Sequence, residues 1–501
     1  MKKFILTAAA LTFGVFAYAQ DIAGSPTAGY VAPLPGAGAG ANTGLSEQYG
    51  NAQRVRVRQA GTEQSVYTRQ DNGTGSGGNM AEVRQTGSVT NASGFRNAAE
   101  VLQSGTTNSS LTLQEGDLNN AVTRQGQTNT ASADNKAYIR QGVANQAEGN
   151  RAAIDQDGNR NRASILQTYD NSDAWTRQNG DDNKSMITQD AGPNGTDGHE
   201  GWNYQTGNSN ESTIMQSGAG GRNVAQNIQA GDFNKIKQIQ VTTATAGQAG
   251  NTAVARQGSI GAPGGSELDF QAYLPNLVDI ATFFEPVANI YYIPSGDDYN
   301  LAKQTQGGAN NRAELAQRGG TIDGSNYGEQ NQISGNDNVA TMGQGHYYDG
   351  EASNYARQDQ TGNGNLAAVL SSGSGQKILQ DQRGNDNNAW SSQLGRDHKA
   401  NIHQRGDKNS AGSAQRGIGN KLLIVQHDGQ SYTGLQNVIG SNGNPFLGDG
   451  GANQIDVLQV GPDGNFGPDY AIDCAFDDPM NLDMEFPVPM ANTPDICTDC
   501  D

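Results

Sequence analysis

The sequence is short of apolar residues. Hydrophobic side chains are 34% of its 501 residues, below the roughly 45–50% of an ordinary globular domain, so a thick apolar core is excluded. It is short of basic residues. Lys and Arg number 32 against 51 Asp and Glu, a formal net charge of −19, which makes nucleic acid a poor partner. It has only one long apolar run, residues 4–16, which is too short to cross a bilayer, and no later stretch offers a span. Cysteine is nearly absent: Cys474, Cys497 and Cys500 all lie near the C-terminus. They have too few ligands and no nearby histidine for a zinc site. The reading they support is a disulfide between Cys497 and Cys500 with one thiol left over. The five histidines show no metal-ligand spacing, so the chain is expected to hold no metal or cofactor and to be no enzyme.

Glycine is abundant, with 68 residues. A chain so polar and glycine-rich is disordered by default, but this one keeps phase. Glutamine recurs every eleven residues at Gln382, Gln393, Gln404, Gln415 and Gln426. Two residues after each of the first four stands a glycine: Gly384, Gly395, Gly406 and Gly417. Five after stands Asn387, Asn409 or Asn420, with His398 as the exception, and seven after stands Ala389, Ala400, Ala411 or Leu422. The rule is Gln-x-Gly-x-x-Asn-x-Ala-x-x-x, and a fixed period of this kind marks a stacked repeat architecture.

Within a unit, Asn409, Ala411, Ser413 and Gln415 are two apart and so share one face of an extended strand. Earlier units repeat the set, as in Asn161, Ala163, Ile165 and Gln167. The other face carries Arg, Lys, Asp, Ser and Thr. Seven strand residues leave x-Gly-x-x for a turn whose glycine supplies positive φ. A glycine every eleven residues rules out long helices. The expected fold is therefore all-β: a β-solenoid of strand-turn-strand coils of about 22 residues, each strand stacked on its equivalent at about 4.8 Å. Stacking sets each inner Gln over the next, and a side-chain ladder satisfies amides that would each cost roughly 1–3 kcal/mol if buried unpaired. A strand slipped by one residue would turn Arg inward and Gln outward.

Residues 1–19 have the form of a secretory signal: Lys2 and Lys3, the apolar run, then Ala17-Tyr18-Ala19. An exported, extracellular or surface protein is expected. Residues 20–48 read as a flexible leader. Residues 49–258 form a first repeat array, best phased at Gln103, Gln114 (with Asn119) and Gln125, and at Gln156 (with Asn161), Gln167 and Gln178. Longer spacings, as from Gln125 to Gln141, are expected to sit in turns. Arginine often precedes the glutamine, as at Arg58, Arg84 and Arg177, where it points outward and discourages sideways sheet pairing. Residues 259–299 are an apolar insertion, residues 300–461 a second array, and residues 462–501 an acidic, Cys-containing irregular tail. With the insertion set aside, the arrays make roughly 17 coils and a rod on the order of 80 Å.

The unit Gln382-x-Gly384-x-x-Asn387-x-Ala389-x-x-x-Gln393, repeated at Gln404, Gly406, Asn409, Ala411 and Gln415, resembles the curlin repeat. Curlins are the secreted subunits of curli, bacterial surface amyloid fibres. The likeness covers most of both arrays. The length, the insertion and the cysteine tail depart from the family, which leaves open whether the chain is a principal subunit, a nucleator, a cap or an anchor. The resemblance implies self-assembly into adhesive fibres and biofilm matrix, with itself and other curlin-like subunits as partners. It also implies an export pore and accessory chaperones. The competing reading is a monomeric surface β-solenoid that binds a ligand or surface such as ice or carbohydrate. The flat Thr-x-Thr face and the nine-residue Gly/Asp repeat that ice and calcium binders need are not present.

Overall fold

In the computed structural model the described residues are 42–72, 77–87, 97–127, 131–142, 149–192, 198–244, 248–258, 299–317, 326–345, 353–436 and 452–460. Among them every regular element is a β-strand; there are thirty, from Thr43–Tyr49 to Gln454–Val460. They form two parallel sheets of fifteen strands each. Successive strands of the chain alternate between the sheets, so each coil lays one strand in each. Fifteen rungs at about 4.8 Å give a stack of roughly 70 Å.

The alternation of side chains explains why this is a solenoid of two half-buried sheets. Parallel sheets are usually covered on both faces and read as continuous apolar runs. Here, among the described residues, only the inner face is covered. In Arg162–Thr168 the inner residues Ala163, Ile165 and Gln167 are fully buried while Arg162 is exposed. Pairing keeps like over like: Ala163 stands over Ser185, Ile165 over Ile187 and Gln167 over Gln189. The apolar part of the core is a thin seam. Ile139, Ile165, Ile187 and Ile214 from one sheet meet Ala152, Ile154, Ala174 and Ala225 from the other. Each buried Ile contributes about 1.5–3 kcal/mol. Such a seam is too narrow to specify register alone, and the amides around it supply the rest.

Two expectations change. The first strand, Thr43–Tyr49, lies largely within the stretch read as leader, and pairs in full with Ser65–Asp71. Among the described residues the stack has fifteen rungs where about seventeen were expected, and many turns exceed four residues. The extra residues between Gln125 and Gln141 fall between strands Asn120–Gln125 and Lys136–Gln141. The two arrays are one stack: Lys235–Thr242 pairs with Leu301–Gly308, and Thr252–Gln257 with Arg312–Gln317, in the same register as everywhere else. In sequence the insertion lies between strands Thr252–Gln257 and Leu301–Gly308. Apart from Tyr299 it lies outside the described residues, as do the signal segment, the tail and all three cysteines.

Candidate assembly surface: amide ladders and open ends

The inner glutamines form continuous ladders. In the second sheet the side chains run from Gln59 through Gln85, Gln114, Gln141, Gln167, Gln189, Gln216, Gln240, Gln306, Gln332, Gln360, Gln382, Gln404 and Gln426 to Gln459. Every Nε2 donates to the Oε1 of the next rung at 2.8–3.0 Å. The second N–H of each amide crosses to the other sheet, as from Gln382 to the Leu366 carbonyl and from Gln404 to that of Asn388, both at 2.9 Å. One side chain thus ties rung to rung and sheet to sheet.

The first sheet carries the matching ladder from Gln48 through Gln70, Gln103, Gln125, Gln156, Gln178, Gln205, Gln229, Gln257 and Gln317 to Gln344. It then breaks. Ser371 occupies the next rung, in register between Gln344 and Gln393. Its hydroxyl donates to Gln376, which stands where other units have asparagine. Gln393 resumes the ladder through Gln415 to Gln436, both bonds 2.6 Å. With no glutamine beneath it, the buried Gln393 Oε1 accepts no hydrogen bond.

The asparagines work at the strand entrances. Asn387 Oδ1 accepts the backbone N–H of Asn409 at 3.0 Å, and Asn161 Oδ1 that of Asn183 at 3.0 Å. Their Nδ2 groups donate to turn carbonyls, Asn387 to Gly406 at 2.8 Å and Asn161 to Gly180 at 2.6 Å. Asn97 accepts from Asn119 and Asn420 from Asn453 in the same way. Two histidines replace asparagine without breaking the pattern. His398 Nδ1 accepts the Asn420 N–H and its Nε2 donates to the Leu394 carbonyl; His199 does the same with Asn223 and the Asp190 carbonyl. Only the neutral ring with its proton on Nε2 makes both bonds. Burial lowers the pKa of both rings, that of His199 to about 4.

All the inner residues read from the repeat are therefore brought together: Gln103, Gln114, Asn119, Gln125, Gln156, Asn161, Gln167, Gln178, Gln382, Asn387, Ala389, Gln393, Gln404, Asn409, Gln415, Asn420 and Gln426 are all buried. Gly384, Gly395, Gly406 and Gly417 all have positive φ. Two features of the structure were not anticipated. A second inner ladder joins Gln238, Gln304, Gln330, Gln358 and Gln380 at 2.7–3.0 Å, where other rungs carry Ile. Its signal is the doublet Gln-x-Gln, as in Gln380-Asp381-Gln382. The turns also hold a second left-handed residue, two after the glycine: Asp386, Asp397 and Lys408 have φ of 55°, 56° and 62°.

The outer faces are covered by ion pairs and stacked rings. The arginines before the ladder point outward, Arg177 toward Asp155 at 3.9 Å and Arg124 toward Glu100 at 3.4 Å. Trp175 stacks on Trp202 and Tyr327 on Tyr355. Among the described residues no group of His, Cys, Asp and Glu could hold a metal ion. At the ends the strands Thr43–Tyr49 and Arg54–Ala60, and Ser431–Gln436 and Gln454–Val460, are the outermost members of their sheets. Each has one unpaired backbone edge among the described residues. No protein-family model matches the chain, and no curated protein is significantly similar to it.

Proposed function

We propose that this chain is an extracellular structural protein that assembles end to end into adhesive, curlin-like amyloid fibres. The observation that carries the reading is the ladder of the second sheet, which runs through all fifteen rungs with one polarity and stops at two chemically complementary ends. Among the described residues, Gln59 at one end has an Oε1 with no donor, and Gln459 at the other uses one Nε2 proton on the Ser431 carbonyl and has no acceptor for the second. The first sheet ends the same way, at Gln48 and Gln436. An incoming molecule placed head to tail continues both ladders and both backbone edges, which is how an uncapped solenoid extends. No catalytic group is required. Export through an outer-membrane pore with chaperones, and adhesion and biofilm formation, belong to the same reading by resemblance to curlins.

The test is to dilute unfolded mature protein into buffer and follow thioflavin fluorescence, filaments and fibre diffraction. Filaments with a meridional spacing of about 4.8 Å support the proposal. Monomers that persist for days at high concentration overturn it in favour of a solitary surface solenoid.

A further inference from the structure

On the outer wall of the second sheet two tyrosines stand one above the other. Tyr327 and Tyr355 are the first residues of strands Tyr327–Ser334 and Tyr355–Thr361, and they pair in register. Their rings stack, with centroids 5.1 Å apart and planes 21° from parallel. The register neighbours on either side are Leu301 and Lys377, so no third ring continues the stack. The Tyr327 hydroxyl donates to Glu329 Oε2 at 2.8 Å. The other oxygen of Glu329, Oε1, accepts from Lys303 Nζ at 2.8 Å and from Asn331 Nδ2 at 3.0 Å, which fixes the carboxylate in place. Tyr327 is 7% exposed, whereas Tyr355 is half-buried.

Other rings among the described residues lack one part of this arrangement. The Trp175–Trp202 stack has no phenol, and the Phe233–Tyr299 stack has one. Tyr67 also donates to a carboxylate, that of Glu47 at 3.0 Å, but its register neighbours are Leu45 and Glu100. Tyr138 stands between Leu111 and Ser164. Burial, and after it the charge of Glu329, raise the Tyr327 pKa above the ordinary tyrosine value. Tyr327 therefore keeps its proton at neutral pH, and that proton has a fixed acceptor when an electron leaves the ring.

We propose that Tyr327 and Tyr355 are an oxidative cross-linking site, joined by hydrogen peroxide and a peroxidase into a dityrosine that staples two neighbouring rungs of the second sheet. The half-buried Tyr355 gives an electron to the oxidant and its hydroxyl proton to water. Tyr327 needs no contact with the oxidant. Its electron refills Tyr355 through the stacked rings as its hydroxyl proton moves to Glu329, and Tyr355, reprotonated from water, is then oxidised a second time. Rotation of the side chains brings the ring edges together across backbones about 4.8 Å apart. The two phenoxyl radicals join through the carbons ortho to their oxygens, and the hydrogens on those carbons move to the oxygens to restore both phenols. The pair loses two hydrogen atoms, and one peroxide becomes two waters. Both residues lie on the outer wall, so the site is present in the monomer and does not rest on fibre assembly.

The experiment treats dilute, monomeric full-length protein with a haem peroxidase and hydrogen peroxide, then maps the peptides of the monomer by mass spectrometry and follows dityrosine fluorescence. The expected product is a Tyr327–Tyr355 peptide pair lighter by two hydrogens, at least tenfold more abundant than any other tyrosine pair. Protein unfolded in urea should form it at least tenfold less. Tyr327→Phe and Tyr355→Phe keep both rings and should each abolish the product, with circular dichroism reporting that the variants fold. Glu329→Gln should slow cross-linking at least threefold and leave oxidation of Tyr67 unchanged. The cross-linked chain should unfold at a higher denaturant concentration than the untreated one. The proposal is overturned if the folded monomer gives no such peptide, if unfolded protein gives it equally, or if either Phe variant yields as much dityrosine as the wild type. An unchanged unfolding midpoint overturns the staple, and an unchanged rate in Glu329→Gln overturns the proton path.

Discussion

At the scale of the residue, the glutamine amide is the unit of stability. Gln404 accepts from Gln382 and donates to Gln426 and to the Asn388 carbonyl. Gln404→Leu strands all three partners in a buried site, and a loss of about 2–4 kcal/mol is expected in denaturant unfolding. Arg177→Ala on the outer wall should cost under about 0.5 kcal/mol. Ser371 and Gln376 form an exchanged pair, a short side chain at the ladder and a long one at the strand entrance. Ser371→Gln alone overfills the space that Gln376 occupies and is expected to destabilise. Combined with Gln376→Asn it restores both ladders and supplies the donor that Gln393 Oε1 lacks, so the double variant should exceed the wild type by about 1 kcal/mol. A double-mutant cycle of melting curves measures the coupling. The buried histidines make a pH prediction. Because burial holds the His199 pKa near 4, below the unfolded value of 6.5, the unfolded chain binds more protons between those values. The stability that neutral His199 supports is fully present above pH 6.5 and is lost progressively as pH falls toward 4. Asn makes the same two hydrogen bonds without titrating, so melts of His199→Asn between pH 4 and 7 should show a shallower decline.

At the scale of the element, each rung is a strand and a turn, and the turn is the stricter part. A Cβ on Gly384 would lie 2.1 Å from the Gly406 carbonyl oxygen, at a φ of +125° that L-residues rarely adopt. At Gly429 φ is +73° and nothing lies within 4 Å. Gly384→Ala is expected to destabilise by more than about 3 kcal/mol and Gly429→Ala by about 1 kcal/mol, read from unfolding midpoints. This contrast also shows what the sequence could reveal. Glycine at the first left-handed position is visible because only glycine fits beneath the next carbonyl. The second left-handed position is filled by Asp386, Lys408, Leu118 or Arg160, residues with no common chemistry, so no pattern marks it. Inner Gln, Asn and Ala were legible because burial restricts them and the period repeats the restriction. The strand Thr43–Tyr49 was legible too, since Gln48, Gln59 and Gln70 are eleven apart, but the Gly- and Pro-rich residues before it hid the phase. The gap at Ser371 needed the pairing register, because the local spacing there continues undisturbed through Gln360 and Gln382.

At the scale of the whole molecule, the core does not record how far the chain travels between rungs. Gln240 and Gln306 are 66 residues apart in sequence and 2.8 Å apart at their amides, as close as neighbours 22 apart. Deletion of residues 260–297 would join Thr252–Gln257 to Leu301–Gly308 by a short turn that keeps Tyr299 at its left-handed φ of 60° and Asn300 at the strand entrance. The shortened chain is expected to retain its β-sheet spectrum and its melting temperature within a few degrees. Loss of folding would show that the insertion is part of the core. If the prediction holds, each turn is an addressable socket on a rail of constant pitch: foreign loops could be exchanged there, one per rung, and displayed at intervals set by the backbone instead of by the cargo.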